Sequence, residues 1–405
     1  MSRSSHPGHF FQTSTALSES ARKAQKAKNA SGNPIKLPSK LLAAIADPLN
    51  PHHVYVAEAA GKVRHVALET RETAHTFSGP AAPLTSLAIA PKTRTLLAGC
   101  WDKSIWAWSL DPSAQAATPR RFANGHTDFV KSLCVTSLGG RDILFSGGAD
   151  ATICTWDVGN GALLYKMKGH KRGVLSLAVD PEGYVGAMAR QAPSAVIWSA
   201  GSDREIRAWR VSATSGQPID PKNPGVSEED SATLEEPSPL LAHETSVDSL
   251  LFDASADLWT ASADRTARCL SRAHGWSTDT TLNHPDYVRD VVVDEVGGYV
   301  ITACRDEHVR VWERGSGKLV HVFEGHYEEV TSLVLVEGNE QKVVSVGIDG
   351  TVRQWSLKAA DLQKAIEEAE SERKGEGKEE DEKPKESLMT EDEERELAEL
   401  MEDDD

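Results

Sequence analysis

The 405-residue chain is poor in cysteine: Cys100, Cys134, Cys154, Cys269 and Cys304 are odd in number, widely spaced and never in a CxxC pair. That pattern excludes a disulfide framework and offers no zinc-finger spacing. No run of 18 or more apolar residues occurs, so no membrane-spanning helix is encoded, and Met1–Ala30 lacks the apolar centre of a secretory leader. An intracellular protein of the cytoplasm or nucleus is expected, with no membrane association. An excess of positive charge is missing too. The net charge is −17, from 44 Lys and Arg against 61 Asp and Glu. Residues 358–405 hold 8 basic and 21 acidic residues, which leaves 36 against 40 for residues 1–357. A near-neutral body has no general field for a phosphate backbone, so direct nucleic-acid binding by the body is not expected beyond a local patch.

What is present is a repeat. Ser146–Trp156 (SGGADATICTW) recurs as Ser199–Trp209 (SAGSDREIRAW), Thr302–Trp312 (TACRDEHVRVW), Ser345–Trp355 (SVGIDGTVRQW) and Ala98–Trp108 (AGCWDKSIWAW), with Asp six residues before Trp each time. Thr260–Leu270 keeps the frame with Leu for Trp, and Val56–Val66 keeps only its hydrophobic outline. The marker position falls at Ala60, Asp102, Asp150, Asp203, Asp264, Asp306 and Asp349, in steps of 42, 48, 53, 61, 42 and 43. Short β-branched runs such as Val130–Val135, Val288–Val293 and Val330–Leu335 alternate with period two between turn residues. Seven such copies predict an all-β chain: a seven-bladed β-propeller of four-stranded antiparallel blades over residues 34–357. The extra residues of the longer steps lie in polar stretches. Ser212–Ser238 reads as a long inserted loop and Gly183–Ser194 as a shorter one.

A His-containing pair precedes five of the markers: Gly125-His126, Gly169-His170, Ala242-His243, Asn283-His284 and Gly325-His326. With Trp156-Asp157 as a literal dipeptide, the pattern resembles the WD-repeat β-propeller family. The resemblance implies a buried hydrogen-bonded tetrad in each well-formed blade. The complete sets here are His126, Ser146, Asp150, Trp156; His170, Ser199, Asp203, Trp209; His284, Thr302, Asp306, Trp312; and His326, Ser345, Asp349, Trp355. The first, second and fifth copies depart from the pattern and are expected to rely on packing. Pro34–Pro38 (PIKLP) is the candidate for the strand that closes the ring on the last blade.

No G-x-S-x-G elbow, P-loop, H-E-x-x-H or G-x-G-x-x-G motif occurs, and the repeat-frame histidines explain themselves structurally, so no enzyme, cofactor or metal site is expected. The resemblance implies a scaffold or adaptor for protein partners in a multisubunit complex, itself monomeric. Partners of the family often use the narrow face over the central channel. By position that rim carries Trp101, Phe129, Tyr287, Arg305, Glu329 and Ile348, of which Trp, Tyr and Arg are types enriched at binding hot spots. Residues 1–33, with Arg22, Lys23, Lys26 and Lys28, read as a disordered basic tail or a phosphate contact or nuclear address. Residues 358–405 read as an acidic, partly helical tail, with a helix near Ala359–Arg373, disorder over 374–387, and a short capped helix whose Leu397, Leu400 and Met401 either dock on a partner or belong to a tail that only solubilises the chain. The alternative is a chromatin or RNA-processing subunit that binds basic proteins through this tail, and less favoured still is a propeller with a small-ligand or hydrolase site.

Overall fold

Four kinds of strand recur in each repeat because four levels of burial do. The second strand of a blade is enclosed on both faces and is nearly continuously apolar or small, as in Thr95–Cys100 (TLLAGC) and Ala195–Gly201 (AVIWSAG), buried throughout. The fourth lies at the perimeter and alternates, as in Ala162–Lys168 (ALLYKMK). In a computed structural model of the chain, residues 14–111, 118–184, 193–222, 237–336 and 341–382 are described. They form seven four-stranded antiparallel sheets. The inner strands of blades 1 to 7 are Leu41–Ala46, Leu84–Ala90, Val130–Leu138, Val174–Val179, Val247–Phe252, Val288–Asp294 and Val330–Val336, and each packs on the next around a closed ring.

Closure follows the sequence expectation. Ile35–Lys36 pairs antiparallel with Thr351–Ser356, Ile35 opposite Val352, and is the outermost strand of blade 7. Ile35 is buried in one apolar cluster with Leu41 and Val56 of blade 1 and Val344 and Val352 of blade 7. The edges that would otherwise template pairing with other chains are thereby used.

All seven inner strands share a feature that no residue type announces: the register with the second strand shifts between the first residue and the third, at Leu41/Ala43, Leu84/Ser86, Val130/Ser132, Val174/Ser176, Val247/Ser249, Val288/Asp290 and Val330/Ser332. A bulge re-aims the residue it carries. In blades 3, 5 and 6 that residue is Lys131, Asp248 and Arg289.

Three expectations change. Within the tail 1–33, Ser14–Lys26 is a helix with Lys23 and Lys26 in its last turn, where cations complement the helix dipole. Within the expected loop 212–238, Gly216–Ile219 is the outer strand of blade 4, with Pro218 opposite Trp209. An edge strand pairs on one side only, so proline is tolerated there; residues 223–236 lie outside the described set. Beyond Lys358 the chain is a separate unit. Its helix, Ala359–Glu382, runs past Arg373 into the stretch expected to be disordered. A run of strong Glu and Lys helix formers there outweighs two glycines at about 1 kcal/mol each, and Gln363–Glu367 and Lys364–Glu368 pair one turn apart.

Candidate interaction face and blade clasps

The tight turns between second and third strands all lie on one face. In each, the residue after the marker is left-handed: Gly61, Lys103, Ala151, Arg204, Arg265, Glu307 and Gly350, with φ between 62° and 77°. Glycine is required where space is closed: a Cβ on Gly61 would sit 2.4 Å from the Pro80 carbonyl oxygen. The residue before each marker donates its backbone N–H to the carbonyl just ahead of the inner strand, as Trp101 to Pro83, Ala149 to Phe129, Arg305 to Tyr287 and Ile348 to Glu329. These bridges build the rim of the channel, the narrow face of the resemblance.

Behind the rim lie the clasps. In blade 3 the Trp156 indole N–H donates to Ser146 Oγ (2.9 Å), Ser146 Oγ is 2.8 Å from His126 Nε2, and His126 Nδ1 is 3.1 Å from Asp150. A neutral His126 protonated on Nδ1 satisfies every member: Trp to Ser, Ser to His, His to Asp. Burial alone would raise the Asp150 carboxyl, but the Thr127 N–H, the Thr152 hydroxyl and His126 outweigh it and hold it at about 2. Blade 4 repeats the set through Trp209, Ser199, His170 and Asp203, the last also at about 2, and blade 7 through Trp355, Ser345, His326 and Asp349.

Blade 6 is different. Trp312 and His284 both reach Thr302 (2.9 and 2.8 Å), but His284 Nδ1 turns to the Leu282 carbonyl (3.1 Å). Asp306 is taken instead by the Arg310 guanidinium, four residues on, at 2.5 and 3.0 Å. The structure therefore does not bring Asp306 into the tetrad expected with His284, Thr302 and Trp312, because a charged fork outcompetes a neutral imidazole for a carboxylate. Blade 5 holds three-quarters of a set: His243 reaches Thr260 at 2.7 Å and Asp264 at 2.9 Å, and only the indole is missing. Its spacing was readable, His243 and then Thr260 four residues before Asp264, but the absent Trp hid it. Blades 1 and 2 are held by more than packing. Asp47 pairs with His65 (2.9 Å) and Glu58 with Arg64, while Asp102 accepts from Ser104 and from the Trp106 indole (3.0 Å).

A Ser–His–Asp chain is also the order of a hydrolase triad. Here Ser146, Ser199 and Ser345 are fully buried and each already accepts an indole N–H, so no substrate reaches them. A hollow of about 420 Å³ between blades 1, 5, 6 and 7 is lined by Ile45, Leu251, Val292 and Leu335, and its acids Asp253 and Glu295 are both bound by Arg314. His170, Asp203 and Glu205 lie close enough to share an ion, yet each is spent, Glu205 on Arg207 at 2.6 Å.

The rim residues assemble in pairs. Trp101 of the blade 2 turn stacks on Phe129 ahead of blade 3, centroids 4.9 Å apart and planes 13° from parallel, with Lys131 Nζ 5.6 and 5.8 Å from the two rings. Trp101 stays 39% exposed, and Trp106 is not its neighbour in the stack. Tyr287, also 39% exposed, lies 5.1 Å from the Arg305 guanidinium. Glu329 is bound by Arg289, which also holds Asp248 at 2.9 Å, and Ile348 is half-buried. Leu397, Leu400 and Met401 lie outside the described residues. The N-terminal helix touches this face as well: Arg22 forks onto Glu307 (2.8 and 3.0 Å), Lys26 reaches the same carboxylate (2.7 Å), and Lys23 reaches Glu328 (2.8 Å).

The family model described as WD domain, G-beta repeat, matches residues 71–109, 276–313 and 317–356. An uncharacterized WD repeat-containing protein of Schizosaccharomyces pombe is 32% identical over 369 residues, covering 88% of this chain and 90% of that protein. The chain belongs to the WD-repeat family. A second WD-repeat model, the tRNA methyltransferase TRM82 WD40 domain, matches residues 112–210, from blade 2 to blade 4. The ribosome biogenesis protein WDR12 homolog of Anopheles gambiae is 24% identical over 282 residues, and human striatin 24% over 295. This chain spans 61% and 35% of the length of those two WD-repeat relatives.

Proposed function

We propose that this WD-repeat protein is a non-catalytic scaffold subunit that binds protein partners through the turn face. The observation that carries the reading is the contrast between the two sets of residues. The catalytic-looking groups are buried in clasps, while hot-spot types, Trp101 on Phe129 and Tyr287 on Arg305, stand exposed on the rim. The C-terminal segment with Leu397, Leu400 and Met401 is a second docking element in this reading. Membership of an RNA-processing or ribosome-assembly complex, with a nuclear address, is favoured within the class by the names of the matching family model and relatives. The test is a crosslinking pull-down with the intact chain, the chain ending at Leu357, and the Trp101→Ala/Tyr287→Ala variant as baits. Loss of a shared set of proteins from either altered bait is expected; identical recovery by all three removes the turn face and the tail from the reading.

A further inference from the structure

The turn face is electrostatically divided. Across blades 6 and 7 its acids are in use: Glu307 is neutralised by Arg22 and Lys26, Glu328 by Lys23 and Glu329 by Arg289. Across blades 2 to 4 the turn acids Asp102, Asp150 and Asp203 are held in hydrogen bonds within their own blades, and cations are left over. Lys103, Arg172 and Arg204 are exposed and their side chains make no hydrogen bond or ion pair among the described residues, while Lys171 pairs with Glu205 at 3.4 Å. Lys103 and Arg204 occupy the left-handed turn position, φ 69° and 62°, where blades 1 and 7 use glycine and where a long side chain is disfavoured. The stacked pair Trp101–Phe129, with Lys131 against it, lies in the same sector.

We propose that Trp101, Lys103, Phe129, Lys131, Arg172 and Arg204 form a binding site for a single-stranded polynucleotide. Bases stack on the exposed indole, whose rigid partner Phe129 fixes its plane, and phosphates meet the unpaired cations. A lone phosphate needs donors converging on one point. These cations are instead distributed over three consecutive blades, which suits a chain of regularly repeated charges whose bases can stack on the indole between them. The near-neutral sum of residues 1–357 conceals the sector, whose own turn acids Asp102, Asp150 and Asp203 are held in hydrogen bonds within their blades. The site shares Trp101 and Phe129 with the scaffold reading but does not rest on it.

The test is fluorescence anisotropy of the purified full chain with a labelled mixed-sequence oligoribonucleotide about 12 nucleotides long, its DNA counterpart, and the same sequence as duplex. The intact protein is expected to bind single strands more tightly than duplex, with a log–log salt slope near about −2 for three neutralised phosphates. Trp101→Ala weakens binding about tenfold. The Lys103→Gln/Arg172→Gln/Arg204→Gln variant loses it with an unchanged melting temperature, and Lys92→Glu, in the turn between the first and second strands of blade 2, has no effect. RNA and DNA arms show whether the sugar matters. The proposal is overturned by no binding at low salt, by equal binding of the triple variant, by equal affinity for duplex, or by displacement of the oligonucleotide by a phosphoserine peptide at matched charge. Trp101→Ala that loses a protein partner yet binds the oligonucleotide normally overturns the stacking and leaves the scaffold intact.

Discussion

At the scale of single residues, one sequence motif yields two hydrogen-bond arrangements, and the difference is measurable. Asp150 belongs to a clasp with His126, whereas Asp306 belongs to Arg310. Asp150→Ala should destabilise by about 1–3 kcal/mol, since it orphans the buried His126 donor. A double-mutant cycle of Asp150→Ala with His126→Ala should show coupling of about 1 kcal/mol or more, and the same cycle for Asp306 and His284 almost none. Coupling of equal size in both would contradict the geometry. His284 supplies a second test. Burial first, and then the Arg310 charge, push it down to about 4. The folded protein thus binds fewer protons than the unfolded chain between about pH 6.5 and 4, so stability falls as pH drops through that window. Chemical-denaturation midpoints across it should slope less for His284→Gln than for the parent. His65, likewise lowered by burial, keeps part of the slope. The clasps were legible in sequence because side-chain identity at fixed spacing encodes them. The Arg310 exchange was not, because it depends on which of two partners wins one carboxylate.

At the scale of elements, strands were more legible than the ends of the chain. Period-two runs and turn residues mark a strand locally, and the PIKLP segment could be assigned to closure because a ring must end on itself. The N-terminal helix docks through ion pairs between residues separated by 285 positions, and no local pattern encodes such a contact. Its contact is chiefly electrostatic: residues 20–22, 24 and 25 are exposed, and the partner is the largely buried Glu307. Burial would raise the Glu307 carboxyl, but Arg22 and Lys26 outweigh it and hold it below the ordinary glutamate value. A depressed carboxyl contributes stability above its unfolded value and loses it as pH falls, so docking should weaken below about pH 4.5. Glu307→Gln should release the helix at neutral pH. Hydrogen exchange over residues 18–26 should then quicken to near the rate of a free peptide, while the inner strand Val288–Asp294 keeps its protection. High salt should do the same to the parent. Slow exchange in Glu307→Gln would mean that packing, rather than these pairs, holds the helix.

At the scale of the whole molecule, the ring is an array in which each blade touches two neighbours, and the channel rim adds a charge bridge across three of them, Arg289 of blade 6 between Asp248 of blade 5 and Glu329 at the entry to blade 7. The seven-fold count was legible from marker spacing alone. The inner-strand bulges that turn Lys131, Asp248 and Arg289 to the channel, and the Trp101–Phe129 stack across a blade boundary, were not, since both depend on backbone register and on neighbours one repeat away. In a nearest-neighbour array, stability is roughly a sum of blade terms and interface terms. Removal of the closing strand deletes one outer strand, the Ile35 contact between blades 7 and 1, and the Arg353 bonds to the Asn29 and Ser31 carbonyls. A chain starting at Leu41 should therefore lose hydrogen-exchange protection first in Thr351–Ser356 and Lys342–Gly347, then in blade 1, while Val174–Val179 on the opposite side stays protected. Uniform loss across all seven blades would show instead that the ring is one cooperative unit, whose stability resides in closure rather than in the clasps of individual blades.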